Sequence, residues 1–133
     1  MALLFPDVGE NLVLEMIVNK TAPQNLSLKL FQSNTTPAET DTAATYTEAT
    51  FSGYAAATLT GASWGAASSG NITYGSQQTF THNGGGVSNS IYGYYVVQVT
   101  SGVLLYAERD GSAPFTLANN GDNVKITPTI SAN

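Results

Sequence analysis

The stretch that decides the fold is Ile91-Tyr92-Gly93-Tyr94-Tyr95-Val96-Val97-Gln98-Val99-Thr100, followed by Ser101-Gly102 and then Val103-Leu104-Leu105-Tyr106-Ala107-Glu108-Arg109. β-branched and aromatic residues dominate both long runs and favour strands. Ser101-Gly102 predicts a two-residue hairpin turn, because glycine adopts the positive φ that primed turns require. Both faces of the hairpin are rich in apolar residues. Such strands are typical of the centre of a sandwich or of a sheet covered by a neighbouring subunit.

The two-residue turn also fixes a strand register. In that register Val97 lies opposite Tyr106 on one face, and Tyr94 lies opposite Arg109 on the other. We therefore expect Tyr106 to be a buried aromatic residue of the core.

Short β-type runs recur along the rest of the chain, broken by Gly, Pro, Asn and Ser every ~8–12 residues. The further predicted strands are Leu12–Val18, Leu26–Gln32, Thr45–Phe51, Ala55–Leu59, Ile72–Tyr74, Gln78–His82, Phe115–Leu117 and Val124–Ile130. The first of these also fits a short helix, but strand is the prediction adopted. The pattern predicts an all-β protein, an antiparallel two-sheet sandwich that is jelly-roll-like and has about eight to ten short strands.

The chain is poor in ionisable residues, with 4 Lys+Arg, 9 Asp+Glu, one His and no Cys among 133 residues. A net charge of −5 argues against nucleic-acid binding, which needs several basic side chains against phosphates. No apolar stretch approaches the roughly 18 residues of a membrane-spanning helix. We expect a non-enzymatic protein without cofactor or metal. Residues 1–10 are predicted to form an apolar N-terminal arm or edge strand, and residues 11–133 a single β-sandwich domain.

His82 is the only imidazole, so any Ser–His–acid triad must use it. The chain has no G-x-S-x-G motif, and we expect His82 to be a loop-edge or partner-contact residue. The run Asn119-Asn120-Gly121-Asp122-Asn123 offers oxygen ligands for calcium, but Asn-Gly and Gly-Asp also favour turns. A turn is the prediction here.

Paired carboxylates are the machinery of glycoside hydrolysis, and Glu108 and Asp110 are spaced i, i+2 on one strand face. The simpler interpretation is a solvated strand end whose acids pair with Arg109 or Lys125. Glu39 and Asp41 are predicted to be solvated acids of a polar loop.

Aromatic residues are the best candidates for a binding surface. Exposed aromatics on a β-sandwich can stack on sugar rings, which keeps a carbohydrate-binding module as an alternative, whereas Tyr and Trp also favour subunit interfaces. The apolar N-terminal residues either join a sheet edge or dock on a partner. The candidate interface residues are Leu3, Leu4, Phe5, Tyr92, Tyr94 and Arg109.

Several stretches together carry a family resemblance. They are Thr45-Tyr46-Thr47-Glu48-Ala49, Gly53-Tyr54-Ala55-Ala56, Leu59, Trp64, Ile91-Tyr92-Gly93-Tyr94-Tyr95 and Asn119-Asn120-Gly121-Asp122. In this order they resemble small β-sandwich virion structural proteins of tailed bacteriophages. The resemblance spans residues 39–129, and its motifs are structural and not catalytic.

The resemblance implies a capsid decoration or cement protein, seated on the head shell and often trimeric. Its partners would be the major capsid protein and further copies of itself. Its location would be the capsid surface of the virion, after assembly in the host cytoplasm. A tail or fibre accessory role is the other implied possibility, and no ligand residues follow from the resemblance.

Overall fold

The computed structural model describes residues 3–132, which form ten short strands and one α-helix. The helix α1 is Asp7–Ile17. The strands are β1 Leu26–Phe31, β2 Ala57–Leu59, β3 Asn71–Thr73, β4 Gln78–Thr81, β5 Asn89–Ile91, β6 Gly93–Gln98, β7 Leu104–Arg109, β8 Phe115–Leu117, β9 Asn123–Ile126 and β10 Thr129–Ser131. Two 3₁₀ turns lie at Ala43–Thr45 and Gly61–Ser63. The predicted β-rich class is confirmed.

All strand pairs are antiparallel, and the largest sheet has the order β2-β1-β6-β7. The other strands form three two-stranded sheets, β10-β3, β4-β9 and β5-β8. The arrangement is consistent with an all-β sandwich, although the sheets are small and number more than the predicted two.

Both faces of the four-stranded sheet are covered, as its apolar strands require. On one face Leu28 and Val96 belong to a core cluster that includes Phe80 from β4. On the other face Phe31 and Tyr95 pack with Tyr46 in a second cluster. The sheet therefore lies at the centre of the molecule.

The hairpin turn between β6 and β7 is longer than predicted. The N–H of Gly102 donates to the Gln98 carbonyl at 2.9 Å, and the N–H of Gln98 donates to the Val103 carbonyl at 3.0 Å. Residues 99–102 thus form a four-residue loop, and the predicted two-residue turn is wrong. Gly102 does have the positive φ expected of it, +70°.

The longer loop changes the register. Val96, not Val97, lies opposite Tyr106, and Tyr94 lies opposite Glu108, not Arg109. A register irregularity between Val96 and Val97 shifts the pairing again near the turn. The predicted pairs are therefore wrong, although the prediction that Tyr106 is buried is confirmed.

The predicted strand Leu12–Val18 is wrong, because residues 12–17 form the second half of α1 and Val18 is its C-cap. The helix begins directly after Pro6 and has Asp7 and Glu10 in its first turn, where acids interact favourably with the helix dipole. Gly9 lets the helix approach β7 closely, since a Cβ at this position would overlap the Leu105 carbonyl.

Of three other predicted strands, one is absent and two are divided. Residues 45–51 form no strand and contribute one bridge, between Glu48 and Phe31. The predicted strands 91–100 and 124–130 each divide into two, around Tyr92 and before Thr129. Phe115–Leu117 has its predicted bounds, and the other remaining predicted strands are present with shifted ends.

The N-terminal segment lies along the outer edge of β7. Leu4 and Ala107 exchange two backbone hydrogen bonds of 3.0 Å. Residues 1 and 2 of the predicted arm lie outside the described residues, and its predicted end at residue 10 falls inside α1.

Candidate functional site

An apolar groove of about 630 Å³ lies between α1, the start of β1 and strand β10. We call it the α1 groove. Its size is within the range of pockets that bind ligands or apolar protein side chains. Its lining residues are Phe5, Glu10, Leu12, Val13, Leu14, Met16, Pro23, Gln24, Leu26, Gln98, Leu105, Ile130, Ser131 and Ala132.

The second half of α1 exposes large apolar side chains beside this groove. Leu14 is 62% exposed, and Ile17 and Val18 at the helix end are 74% and 71% exposed. We call Ile17 and Val18 the α1 knob. Single exposed apolar residues are ordinary on a protein surface, whereas a group of them beside an apolar groove marks an interaction site.

Gln98 lines the groove with a buried and incompletely bonded amide. Its side chain is 1% exposed, and its Oε1 accepts a hydrogen bond of 2.7 Å from the Ser101 hydroxyl. Its Nε2 has no hydrogen-bond partner. Leaving a buried amide donor unpaired is unfavourable, so this atom lowers the stability of the fold.

The predicted N-terminal interface residues lie half-buried against their own domain. Leu3 and Phe5 pack on the core, and the Phe5 ring centroid is 5.5 Å from that of Tyr106. Leu4 holds the bridge to β7, and Phe5 also lines the α1 groove. Docking of this segment on a partner stays a prediction.

The three other predicted interface residues do not form one patch. The Arg109 guanidinium lies 5.0 Å from the Tyr92 ring centroid and donates to the Thr35 carbonyl at 3.1 Å. Tyr92 packs on the core cluster of Phe31, whereas Tyr94 packs on the opposite cluster. The structure thus brings Tyr92 and Arg109 together and separates them from Tyr94.

His82 is fully buried and held by two hydrogen bonds. Its Nε2 is 2.9 Å from the Val87 carbonyl, and its Nδ1 accepts from the Gly84 N–H at 3.0 Å. The ring also stacks on Phe51. His82 lies at the edge of the loop that follows β4, which is one of its two expected positions, and both ring nitrogens hold that loop, so its role is structural.

The carboxylates of Glu108 and Asp110 line a small cleft of about 220 Å³. Glu108 accepts a hydrogen bond of 2.7 Å from the Tyr94 hydroxyl, and Asp110 accepts one of 2.7 Å from the Ser112 N–H. Lys125 also lines the cleft. Within residues 3–132 neither acid forms an ion pair, so the predicted pairing with Arg109 or Lys125 is wrong.

Asp41 stabilises the loop in which it lies. Asp41 is buried and accepts hydrogen bonds from the Tyr46 hydroxyl at 2.7 Å and the Ala38 N–H at 2.9 Å, so its predicted solvation is wrong. Burial, together with the bond to Asp41, raises the pKa of Tyr46. Asp41, Tyr46 and Ala38 are therefore bonded to one another, and Asp41 has a structural role.

The loop of residues 119–123 is a turn, as predicted. The Asp122 carboxylate accepts from the backbone N–H groups of Ala118 and Asn119 at 3.0 and 2.8 Å, which lowers its pKa. Gly121 has a φ of +92°. Among the described residues no group of three or more His, Cys, Asp or Glu could hold a metal ion.

The α1 groove is the feature that the sequence interpretation missed. The sequence did contain a signal for the helix, because Val8, Leu12 and Met16 are spaced four residues apart, as on one face of a helix. This spacing begins before the segment that was predicted as a strand.

Within the described part of the chain, no helix is long and apolar enough to cross a membrane.

The chain matches no protein-family model, and it matches none of the curated proteins with which it was compared.

Proposed function

We propose that this chain is a non-enzymatic structural protein of a tailed-bacteriophage virion, a decoration or cement protein that binds the assembled head shell as a homo-oligomer. A trimer is the proposed assembly, and the major capsid protein is the proposed partner. The observation that carries the proposal is the apolar surface formed by the α1 groove and the α1 knob. Such a surface is suited to binding another protein and not to catalysing a reaction.

The bonding of the ionisable groups supports a non-catalytic role. The single histidine holds a loop through both ring nitrogens, and Asp41 and Asp122 are occupied by hydrogen bonds to loop groups. Glu48 is paired with Lys29 at 3.0 Å, and Glu15 with Lys20 at 3.0 Å. A catalytic acid or base would need a proton-transfer position facing a substrate.

The family resemblance supports the virion assignment. Its aromatic positions serve the fold: Tyr46 is buried in one core cluster, while Tyr54 and Trp64 pack on the other. Structural motifs of this kind suit a protein whose task is to present a stable surface.

The mechanism of a cement protein follows from mass action. A protein that binds only the assembled shell stabilises that state by its binding free energy. An oligomer engages several equivalent shell sites at once, so a modest affinity for each site becomes durable attachment.

The test uses the virus whose genome encodes the chain. We expect the protein in gradient-purified particles, on the head by immunogold electron microscopy. Heads made without it should release DNA at a lower temperature, and added protein should restore the wild-type temperature. Absence from purified particles would overturn the proposal, and labelling of tails alone would favour a tail accessory role.

A carbohydrate-binding function is the second candidate, and the 220 Å³ cleft favours it. The cleft combines Glu108 and Asp110, which can accept from sugar hydroxyls, with Phe115, a half-exposed aromatic ring. Binding on a glycan array that Phe115→Ala abolishes and Val87→Ala leaves intact would establish this function in place of the first.

A further inference from the structure

We propose that His82 is an acid-sensitive switch, whose neutral ring holds the loop of residues 83–86 and whose protonation releases the middle of that loop. We call residues 83–86 the glycine loop, since three of its four residues are Gly84, Gly85 and Gly86. The inference goes beyond the proposed function, because it concerns bonds within one chain and requires no partner.

The hydrogen bonds of His82 define where its ring carries a proton. The Val87 carbonyl can only accept, so the Nε2 that lies 2.9 Å from it must carry a proton. The Gly84 N–H can only donate, so the Nδ1 that accepts from it at 3.0 Å must be without one. In this structure His82 is therefore the neutral Nε2–H tautomer.

A second proton on the ring is incompatible with one of these two bonds. In an imidazolium both nitrogens are donors, so Nδ1–H would face the Gly84 N–H across 3.0 Å. The bond to the Val87 carbonyl survives, since Nε2 remains a donor. The ring is also 0% exposed and stacks on Phe51, where an added charge is unfavourable. Protonation of His82 therefore breaks the bond to Gly84.

Among the described residues, the charged group that interacts with the ring is Asp122, on the neighbouring loop. Its carboxylate attracts positive charge at His82, but it is already bonded to the N–H groups of Ala118 and Asn119. These bonds lower the pKa of Asp122, so the carboxylate stays ionised above about pH 4. An imidazole in water takes up its second proton near pH 6.5, so the two groups titrate in separate ranges.

The glycine loop is fixed at its ends and held by His82 in its middle. At the ends, the Asn83 N–H donates to the Ser52 carbonyl at 3.0 Å, and the Ser52 N–H donates to the Val87 carbonyl at 2.9 Å. Between them, within residues 3–132, the bond from Gly84 to His82 is the one hydrogen bond that joins the loop to another segment. Its loss frees residues 84–86 while the ends stay bonded.

The test measures amide hydrogen exchange of the full chain by NMR between pH 8 and pH 5, with each rate divided by the intrinsic rate at that pH. Because opening takes up one proton, the protection of the Gly84 amide should fall about tenfold per pH unit below about pH 6.5, until it is lost. The Ser52 amide is the matched control, since its bond to Val87 does not depend on the second ring proton. Its protection should stay constant.

Two further measurements identify His82 as the titrating group. The chain has one histidine, so a long-range ¹H–¹⁵N spectrum assigns its ring nitrogens directly and should show the Nε2–H tautomer at pH 8. In His82→Gln the pH dependence of Gly84 protection should disappear, because glutamine does not titrate. Circular dichroism verifies that this variant is folded. For an unfolded variant, the comparison of Gly84 with Ser52 in the wild-type chain decides.

Four results would overturn the inference. The first is Gly84 protection that stays constant from pH 8 to pH 5. The second is an equal loss at Gly84 and Ser52, which would indicate general unfolding. The third is a ring that carries its proton on Nδ1 at pH 8, and the fourth is a pH dependence that persists in folded His82→Gln.

Discussion

Tyr106 carries the sharpest stability prediction, because its hydroxyl is buried without a hydrogen-bond partner. The ring packs against Phe5 and Tyr94, with centroid distances of 5.5 and 6.3 Å. The same burial raises the pKa of this phenol. Tyr106→Phe keeps the ring and removes the unpaired hydroxyl, so it should increase the free energy of unfolding.

The expected gain is about 1–2 kcal/mol, the usual penalty of an unsatisfied buried hydroxyl. For a domain of this size that raises Tm by roughly 3–8 °C. Tyr106→Ala, which removes the ring as well, should lower the free energy of unfolding by about 3–5 kcal/mol. Urea denaturation followed by circular dichroism measures both changes.

Tyr94→Phe is the matched control for the hydroxyl. Its phenol donates to the Glu108 carboxylate at 2.7 Å, so the same chemical change should here decrease the free energy of unfolding by about 1–2 kcal/mol. The two Tyr→Phe variants should therefore move stability in opposite directions. A loss of more than about 0.5 kcal/mol in Tyr106→Phe would show that the hydroxyl is bonded and would refute the reasoning.

Three further predictions concern alkaline pH, acid pH and the packing of α1. Burial raises the pKa of five of the seven tyrosines, and it raises that of Tyr95 to about 12. The contribution of these tyrosines to stability is therefore complete below about pH 10. It is lost as the pH rises through their pKa values in the folded state. Phenolate absorbance should accordingly appear together with unfolding, and ionisation of these five groups with an intact circular dichroism spectrum would contradict this. The lowered pKa of Asp122 stabilises the fold at neutral pH and stops doing so as the pH falls below about 4, so Asp122→Asn should flatten the acid limb of a urea-midpoint titration. Gly9→Ala should destabilise by about 1–3 kcal/mol because its methyl group overlaps the Leu105 carbonyl, whereas Gly61→Ala, with open space around it, should change stability little; equal effects in a thermal melt would refute the close packing of α1.

The sequence patterns predicted strands correctly where the apolar residues of the pattern are also the residues that packing buries. Leu28 and Leu30, on either side of Lys29 in the predicted strand 26–32, are buried, and Phe115–Leu117 has the predicted bounds. The pattern failed where tertiary contacts decide the conformation. Tyr46 and Phe51 are buried from an irregular segment, because side chains bury apolar area without a strand ladder.

The loop between β6 and β7 was predicted with the wrong length. The positive φ of Gly102 was predictable, but glycine suits both two-residue turns and longer loops. The four-residue loop is selected by bonds that involve Gln98, whose amide also accepts from Ser101. One misassigned turn then displaced every predicted pair of the hairpin.

The candidate site was not predictable because it depends on relations between distant segments. The α1 groove joins helix residues near position 14 with β10 near position 130, and no local pattern links them. The exposure of Ile17 and Val18 is equally a tertiary property, since apolar residues in a short segment suit a buried strand as well as an exposed helix end. Composition indicated only that a binding surface would hold few ionisable side chains. The location of that surface follows from the packing of α1, because Gly9 holds its first half against β7 while Leu14 and Ile17 in its second half stay exposed.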